Sequence, residues 1–466
     1  MRSLSLPTVI SRRPWLEELR LSPLALWVGG VSLLGLALRL VWVFYTGTIP
    51  LGGDPHWYYV VAINLAKGYG FVSNSGSGIL GEVPGPGEPT AFWPPAYSMV
   101  LAGLWKITGI SITSAKVLNA LFGALTIPFV FGIGRHVFNR QVGLLGALLF
   151  AVFPNAIAWT PLLFPEQLFG LLFVAALWML VAFPMTRRIS WTPLLVFGAL
   201  LTLATLARGQ GAVLVPIAFV YWLMRAGWRP ALRGTAVALL AAAAIIAPWT
   251  IRNWVELHAF IPISTNSAAA LRAGHAPDST GTTKWTGDYV NGFYMWQSMY
   301  RPDWEVQSYR EYTRRAIRYA LTHPRREVEL TREKIYYLYI SDAGVIPWLT
   351  TLGATPIRPQ ALEDALWHVF DYSYYAALFA AVASVPLWVR REANRLLLVN
   401  VVVFWTLFHV IFLGEPRYHV PLFPLLSVAA VGGVAIALGR LRSLREGWRL
   451  TGRPPASAGG DDGSGR

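Results

Sequence analysis

The chain has 466 residues, of which 55% are hydrophobic and only 14% charged, with a formal net charge of +15; soluble domains carry roughly 25% charged residues. The absence of cysteine excludes disulfides, thiolate metal sites and cysteine nucleophiles. Apolar windows of about 18 residues or more recur throughout, each long enough to cross a hydrocarbon core about 30 Å thick, so the sequence reads as an all-α polytopic membrane protein rather than a basic nucleic-acid binder.

Hydropathy predicts about ten transmembrane helices. They fall near residues 24–46, 113–134, 142–160, 163–183, 192–207, 212–224, 232–250, 367–389, 396–413 and 419–438. The two short ones flank Arg208 and Gly209, where a tilt or break is expected. The chain divides into an N-terminal segment (1–23), a membrane module (24–250) whose first long loop is 47–112, and a large loop region (251–366). C-terminal membrane helices (367–440) and a Gly/Ser/Asp-rich tail (441–466), expected to be disordered, complete it.

Alternate connections are basic: Arg12 and Arg13 before the first span, then Arg135 and Arg140, Arg187 and Arg188, Arg225 and Arg229, Arg390 and Arg391, and Arg440 onward. By the positive-inside rule these are cytoplasmic, both termini included, and the two long loops lie outside. The first apolar run is too long for a cleavable signal peptide. With no Asn-x-Ser/Thr acceptor in the sequence, a bacterial inner membrane is favoured.

The first loop opens with a helix signature. Asp54 suits an N-cap, Pro55 the first helical position, and Gly68 a C-terminal stop. Tyr58, Val61, Ala62, Leu65 and Ala66 form an apolar stripe at helical spacing, which predicts a helix along the outer interface. A second interfacial helix is expected over 95–108. In the large loop the pattern predicts helices over 304–321 and Pro324–Tyr339, separated by His323-Pro324 and dense in arginine. A solvated charged face is the favoured reading of that pair, and contact with anionic headgroups the alternative.

Ionisable groups at membrane depth are costly and require a partner or a task. On the outward side they are Asp54, Glu82, Glu88, Glu166, Arg39, Arg208, Arg252 and Arg417. Arg208 and Arg417 lie on the face that should be poor in arginine, and guanidinium groups suit a phosphate or phosphodiester. The structural alternative pairs Arg417 with Glu415 and Arg39 with Glu166. Asp54 is open between a helix cap and a general base aimed at a hydroxyl. Tyr58 lies one turn after Asp54 on the same helix face, within reach of a bound sugar or phosphate. His56 reads as an interfacial residue or a ligand. Most other aromatics read as the interfacial belt.

The run Gly53-Asp54-Pro55-His56-Trp57-Tyr58, with Ala62, Leu65-Ala66, Gly68 and Gly70-Phe71, resembles the first-loop signature of the GT-C glycosyltransferases. The nearer relatives are of the protein O-mannosyltransferase and lipid A aminoarabinose transferase type. Trp93-Pro94-Pro95-Ala96-Tyr97, Pro165-Glu166, Ala207-Arg208-Gly209, Pro248 to Asn253, and Arg417-Tyr418 through Pro421 follow in that family's order over residues 39–426.

The resemblance implies a GT-C-like fold with a small outward-facing helical region. It also implies an enzyme that takes a sugar from a polyprenyl-phosphate carrier and attaches it to a glycan, lipid or protein acceptor outside the cytoplasm, with inversion. Asp54 takes the place of the catalytic aspartate. Arg208, Arg252 and Arg417 match the binding arginines in outline, and Tyr418 belongs to the last motif. No cofactor or divalent metal is implied; the partners are the lipid-linked donor, the acceptor and membrane lipids. The family's second carboxylate is missing from its usual places, leaving Glu82 or Glu88 as substitutes. Residues 263–266 and 272–278 are expected to line the sugar pocket. A polytopic secondary transporter or lipid flippase is the competing class, since it would share the hydropathy and the basic loops.

Overall fold

The computed structural model describes residues 22–47, 51–73, 84–186, 190–283, 302–350, 360–389 and 392–451. The chain is a bundle of apolar helices with shorter helices gathered at one end. Helix α1 (Pro23–Tyr45) starts with Pro23 in its first turn and the Ser22 hydroxyl accepting from the Ala25 amide, the expected N-terminal chemistry. Then come α2 (Asp54–Ala66) and a two-residue antiparallel pairing of β1 (Val72–Ser73) with β2 (Glu88–Pro89), in register Val72 to Pro89. After α3 (Ala96–Thr108), the chain builds α4 (Ile112–Val137), capped by Ser111, and α5 (Arg140–Val152), capped by Asn139.

The expected span 142–160 is not continuous. Helix α5 stops at Val152, Phe153 is extended, and a short α6 (Pro154–Ala158) follows. Pro154 has no amide hydrogen to continue the ladder, and its ring disfavours a helical residue before it. Next are α7 (Glu166–Ala182) and α8 (Trp191–Ala207), then a 3-10 turn (Gly209–Val213) leading into α9 (Leu214–Ala226). The break at Arg208 lies where the sequence predicts it.

Helix α10 (Trp228–Leu257) precedes α11 (Asn266–Gly274), α12 (Pro302–Thr322), α13 (Pro324–Tyr339) and α14 (Val345–Thr350). Helices α15 (Gln360–Trp388), α16 (Ala393–Ile411) and α17 (Phe423–Thr451) close the bundle, with a second 3-10 segment (Pro416–Leu422) before α17.

Among the described residues six helices are long and apolar enough to cross a membrane, and three shorter ones (α5, α7 and α8) are apolar. The protein is a multi-pass membrane protein. Helix α4 packs on α1, α5 and α7; α10 on α8 and α9; and α17 on α15 and α5. Side chains such as Leu33 and Val41 on α1 and Leu240 on α10 point outward, an apolar rim suited to lipid.

The two ends of the bundle differ. At one, Tyr221 donates to Asn394, Asn394 to the His136 carbonyl, and Arg440 to the Leu387 carbonyl. At the other, called here the site end, Lys116 reaches the Gly47 carbonyl, Trp42 the Ala158 carbonyl, and Arg252 the carbonyls of Phe71 and Thr90. Helix α2 sits inside this end rather than along an interface. Trp57, Tyr58 and Val60 to Asn64 are all buried, packed on α3 and on Phe71 and Trp93 of the first loop.

Candidate active site

Gly53, with a φ of 59°, turns the chain into α2 through a left-handed conformation that residues with a side chain rarely adopt. Asp54 is therefore the first residue of the helix rather than its cap, and no side-chain cap hydrogen bond forms there. Its carboxylate instead meets Arg417: Nη1 and Nη2 both donate to Oδ2, each at 3.1 Å. The pair joins residues 363 positions apart and is mostly buried. The Arg417 guanidinium lies over the rings of Phe164 (5.2 Å), Tyr418 (5.4 Å) and Trp348 (5.7 Å).

A second pair stands beside the first. Glu166, at the start of α7, accepts from Arg208, where the chain leaves α8. Arg208 Nε also donates to Gln210 at 3.2 Å, and its guanidinium lies 5.6 Å from the Tyr418 ring centre. Two guanidinium groups, those of Arg208 and Arg417, thus lie near the Tyr418 ring. The pairs named as the structural alternative from sequence form in neither case. Arg417 takes Asp54, while Glu415 accepts from Thr282 and Thr283. Arg39 is buried away from Glu166 and donates to the carbonyls of Gly35 and Ala151.

Tyr58 is buried one turn beyond Asp54, packed against Trp93 and Tyr97. Burial raises its phenol well above the usual tyrosine range, opposed by the charge of Arg208 and reinforced by Asp54. At neutral pH it is a hydrogen-bond donor, not a base. Tyr58, Trp93, Arg208, Gln210 and Tyr418 line a cavity of about 260 Å³, with Ser264, Asn266 and Ser267 on the side of the second loop and His409 on that of α16. Ile263, Ser264 and Asn266 thus reach the cavity as expected. Thr265 faces away, donating to Glu305, and residues 272–278 do not line it. Arg208 lines this space, whereas Asp54 and Arg417 do not.

Three expected site residues lie elsewhere. Arg252 fastens the first loop: Nη2 donates to the Phe71 carbonyl at 2.6 Å and Nη1 to that of Thr90 at 2.8 Å, with Trp249 stacked against it. Both terminal nitrogens are engaged by backbone carbonyls, and the residue does not line the cavity. Glu88 is exposed on β2, paired with Ser73, and Glu82 lies outside the described residues. His56 packs beside Tyr59 and does not line the cavity. Among the described residues no cluster of three or more His, Asp or Glu side chains is arranged to hold a metal ion.

Sequence reasoning missed Glu305. This buried carboxylate on α12 accepts from the Thr90 hydroxyl (2.8 Å), the Ala91 amide (3.0 Å) and the Thr265 hydroxyl (2.8 Å). It clasps the first loop to the second beside the Trp93-Pro94 wall of the cavity. Its neighbours in sequence, Trp304 and Val306, give it the look of an ordinary helix residue. Trp348 and Phe164, which frame Arg417, were likewise indistinguishable from the interfacial aromatics.

The architecture is that of the GT-C fold, in a multi-pass membrane protein. Residues 93–252 match the family model for dolichyl-phosphate-mannose-protein mannosyltransferase, and no curated protein matches the sequence. Among solved structures, the chain is similar to the oligosaccharyltransferase AglB of Archaeoglobus fulgidus in complex with an inhibitory peptide and a dolichol-phosphate. The TM-score is 0.54 with 14% identity, covering 93% of this chain and 52% of that one. The Archaeoglobus fulgidus enzyme tethered with an acceptor peptide by a disulfide aligns equally well, at TM-score 0.54 and 14% identity over 94% and 52%. The chain spans about half the length of these oligosaccharyltransferase chains. ArnT from Cupriavidus metallidurans bound to undecaprenyl phosphate aligns at 15% identity over 90% of this chain and 79% of that one, with a TM-score of 0.43.

Proposed function

We propose that the protein is a glycosyltransferase that moves a monosaccharide from a polyprenyl-phosphate carrier to an extracytoplasmic glycan, lipid or protein acceptor. The observation that carries this reading is the Asp54–Arg417 pair, which shares the Tyr418 ring with Arg208 on the cavity wall. The matched family description and the dolichol-phosphate in the AglB complex agree with a lipid-phosphate donor. The site end then faces away from the cytoplasm and both termini lie inside, as the basic connections require.

In the resting site each guanidinium is neutralised by a carboxylate. An incoming lipid phosphate competes with Asp54 for Arg417, and a phosphate offers the guanidinium a bidentate partner. Arg417 then swings to the phosphate and leaves the Asp54 carboxylate to accept a proton. The acceptor oxygen forms a bond to the anomeric carbon as the bond from that carbon to the phosphate oxygen breaks. The acceptor proton goes to Asp54, and the electron pair leaves on the lipid phosphate, where Arg417 and Arg208 offset the growing charge. In-line displacement inverts the anomeric centre. Tyr58, held protonated, donates to a sugar or phosphate oxygen. No divalent cation enters this scheme, so chelators are expected to leave transfer unchanged.

The test is purified protein given a polyprenyl-phosphate sugar and membrane acceptors, with Asp54→Asn in parallel. Transfer per folded molecule should fall by about 1000-fold or more in the variant, on the scale of losing a catalytic group, beyond any drop in midpoint from leaving Arg417 without its carboxylate. Equal transfer by both proteins removes Asp54 from the mechanism. Energised substrate uptake with no transfer by the wild type makes the protein a transporter.

A further inference from the structure

The second long loop carries a surface that the proposed chemistry does not use. Helix α13 runs antiparallel to α16. Lys334 donates to the Val410 carbonyl at 2.9 Å, and five residues on, the Tyr339 hydroxyl meets Thr406 at 2.7 Å. The last turns of α13 are therefore level with the final turns of a membrane-length helix whose Leu407 and Ile411 point outward. At that level α13 exposes Ile335 and Tyr336, the latter 56% exposed. Further up the same face follow Arg332, Val328 (73% exposed) and Arg325. At 3.6 residues per turn these five side chains fall within one arc of about 100°.

The charges on this helix are unevenly satisfied. Glu329 and Glu333 pair with Arg326, and Glu327 pairs with His275. Among the described residues Arg325 and Arg332 have no carboxylate partner. At a rise of about 1.5 Å per residue, Arg332 stands about 5 Å and Arg325 about 15 Å beyond Ile335. The headgroup layer is about 5–8 Å deep on each side. Arg332 lies within it, and Arg325 reaches it from the outer edge on its long side chain.

We infer that this face of α13 is a docking surface for anionic phospholipid in the leaflet at the site end. Ile335 and Tyr336 extend the lipid-facing surface of α16, and the two arginines meet the headgroups. The same helix holds the catalytic segment from its other side: Leu338 accepts from His419 Nδ1 at 2.6 Å, two residues beyond Arg417. Anionic lipid thus steadies the element that presents Arg417, a role that rests on the proposed function, whereas the docking itself does not.

The cysteine-free chain permits a single Tyr336→Cys label on the full-length protein, reconstituted in vesicles of phosphatidylcholine with or without phosphatidylglycerol. The label should be shielded from a water-soluble quencher and reached by a headgroup-attached one, more strongly with phosphatidylglycerol present. Arg325→Gln with Arg332→Gln should lower the phosphatidylglycerol retained around the purified protein, about fivefold for each arginine removed. A label freely accessible to the aqueous quencher in both vesicles overturns the docking. Unchanged retention in the double variant overturns the role of these arginines. Neither readout depends on glycosyl transfer, so each can fail without the enzymatic reading failing.

Discussion

At the residue scale, the decisive question was what Asp54 does. Sequence leaves it as a cap or a base, because Asp before Pro serves either. The positive φ of Gly53 settles the local half: it places Asp54 inside the first turn, and the carboxylate finds Arg417 instead of backbone amides. That Asp54, Tyr58, Arg208, Arg417 and Tyr418 gather in one place was legible, because polar groups are rare at this depth and each needs a reason. Which carboxylate meets which arginine was not, since the partners are far apart in sequence. Arg252 shows the same gap from the other side. A motif can place a guanidinium in a loop, but it cannot reveal that two backbone carbonyls already occupy its donors. The Glu166–Arg208 pair yields a stability prediction. Glu166→Gln leaves a buried cation unpaired, which typically costs about 3–5 kcal/mol, so the denaturation midpoint should fall clearly. Adding Arg208→Gln should restore much of the loss, because the stranded charge is then gone.

At the scale of elements, α2, α3, α12 and α13 begin within about two residues of expectation, although the cap expected at Asp54 does not form. The misreading of α5 came from averaging hydropathy across Pro154, which interrupts the backbone without lowering the apolar count. The clasp at Glu305 could not be seen because it ties Thr90 of the first loop to a helix some 200 residues later. Burial pushes the Glu305 carboxyl up to about 7, against its hydrogen bonds to Thr265, the Ala91 amide and Thr90 and the charge of Arg252. Its folded value exceeds the ordinary 4.5, so the folded state binds the proton more tightly than the unfolded state. That contribution is complete below about pH 4.5 and is lost as pH rises toward 7. The midpoint of the wild type should therefore fall over this window relative to Glu305→Gln, which keeps an acceptor and two donors but does not titrate. Parallel profiles would remove Glu305 as the titrating clasp.

At the scale of the whole molecule, the bundle sorts its functions by end. Among the described residues, Arg140 and Arg440 lie at one end and the arginines with buried carboxylate partners, Arg208 and Arg417, at the site end. Impermeant labelling of single cysteines tests the orientation proposed for this pattern. Glu329→Cys should label in intact cells, and Gln141→Cys, exposed at the opposite end, only after permeabilisation; the reverse order inverts the topology. The account rests most heavily on an exchange of partners at Arg417, and binding of a polyprenyl phosphate to the purified protein examines that exchange without turnover. Asp54→Asn removes the competing carboxylate and should bind the lipid phosphate at least as tightly as the wild type, while Arg417→Gln should bind it at least tenfold more weakly, since hydrogen bonds to charged groups contribute about 1.5–3 kcal/mol. Wild-type affinity in Arg417→Gln, or its loss in Asp54→Asn, would contradict the account.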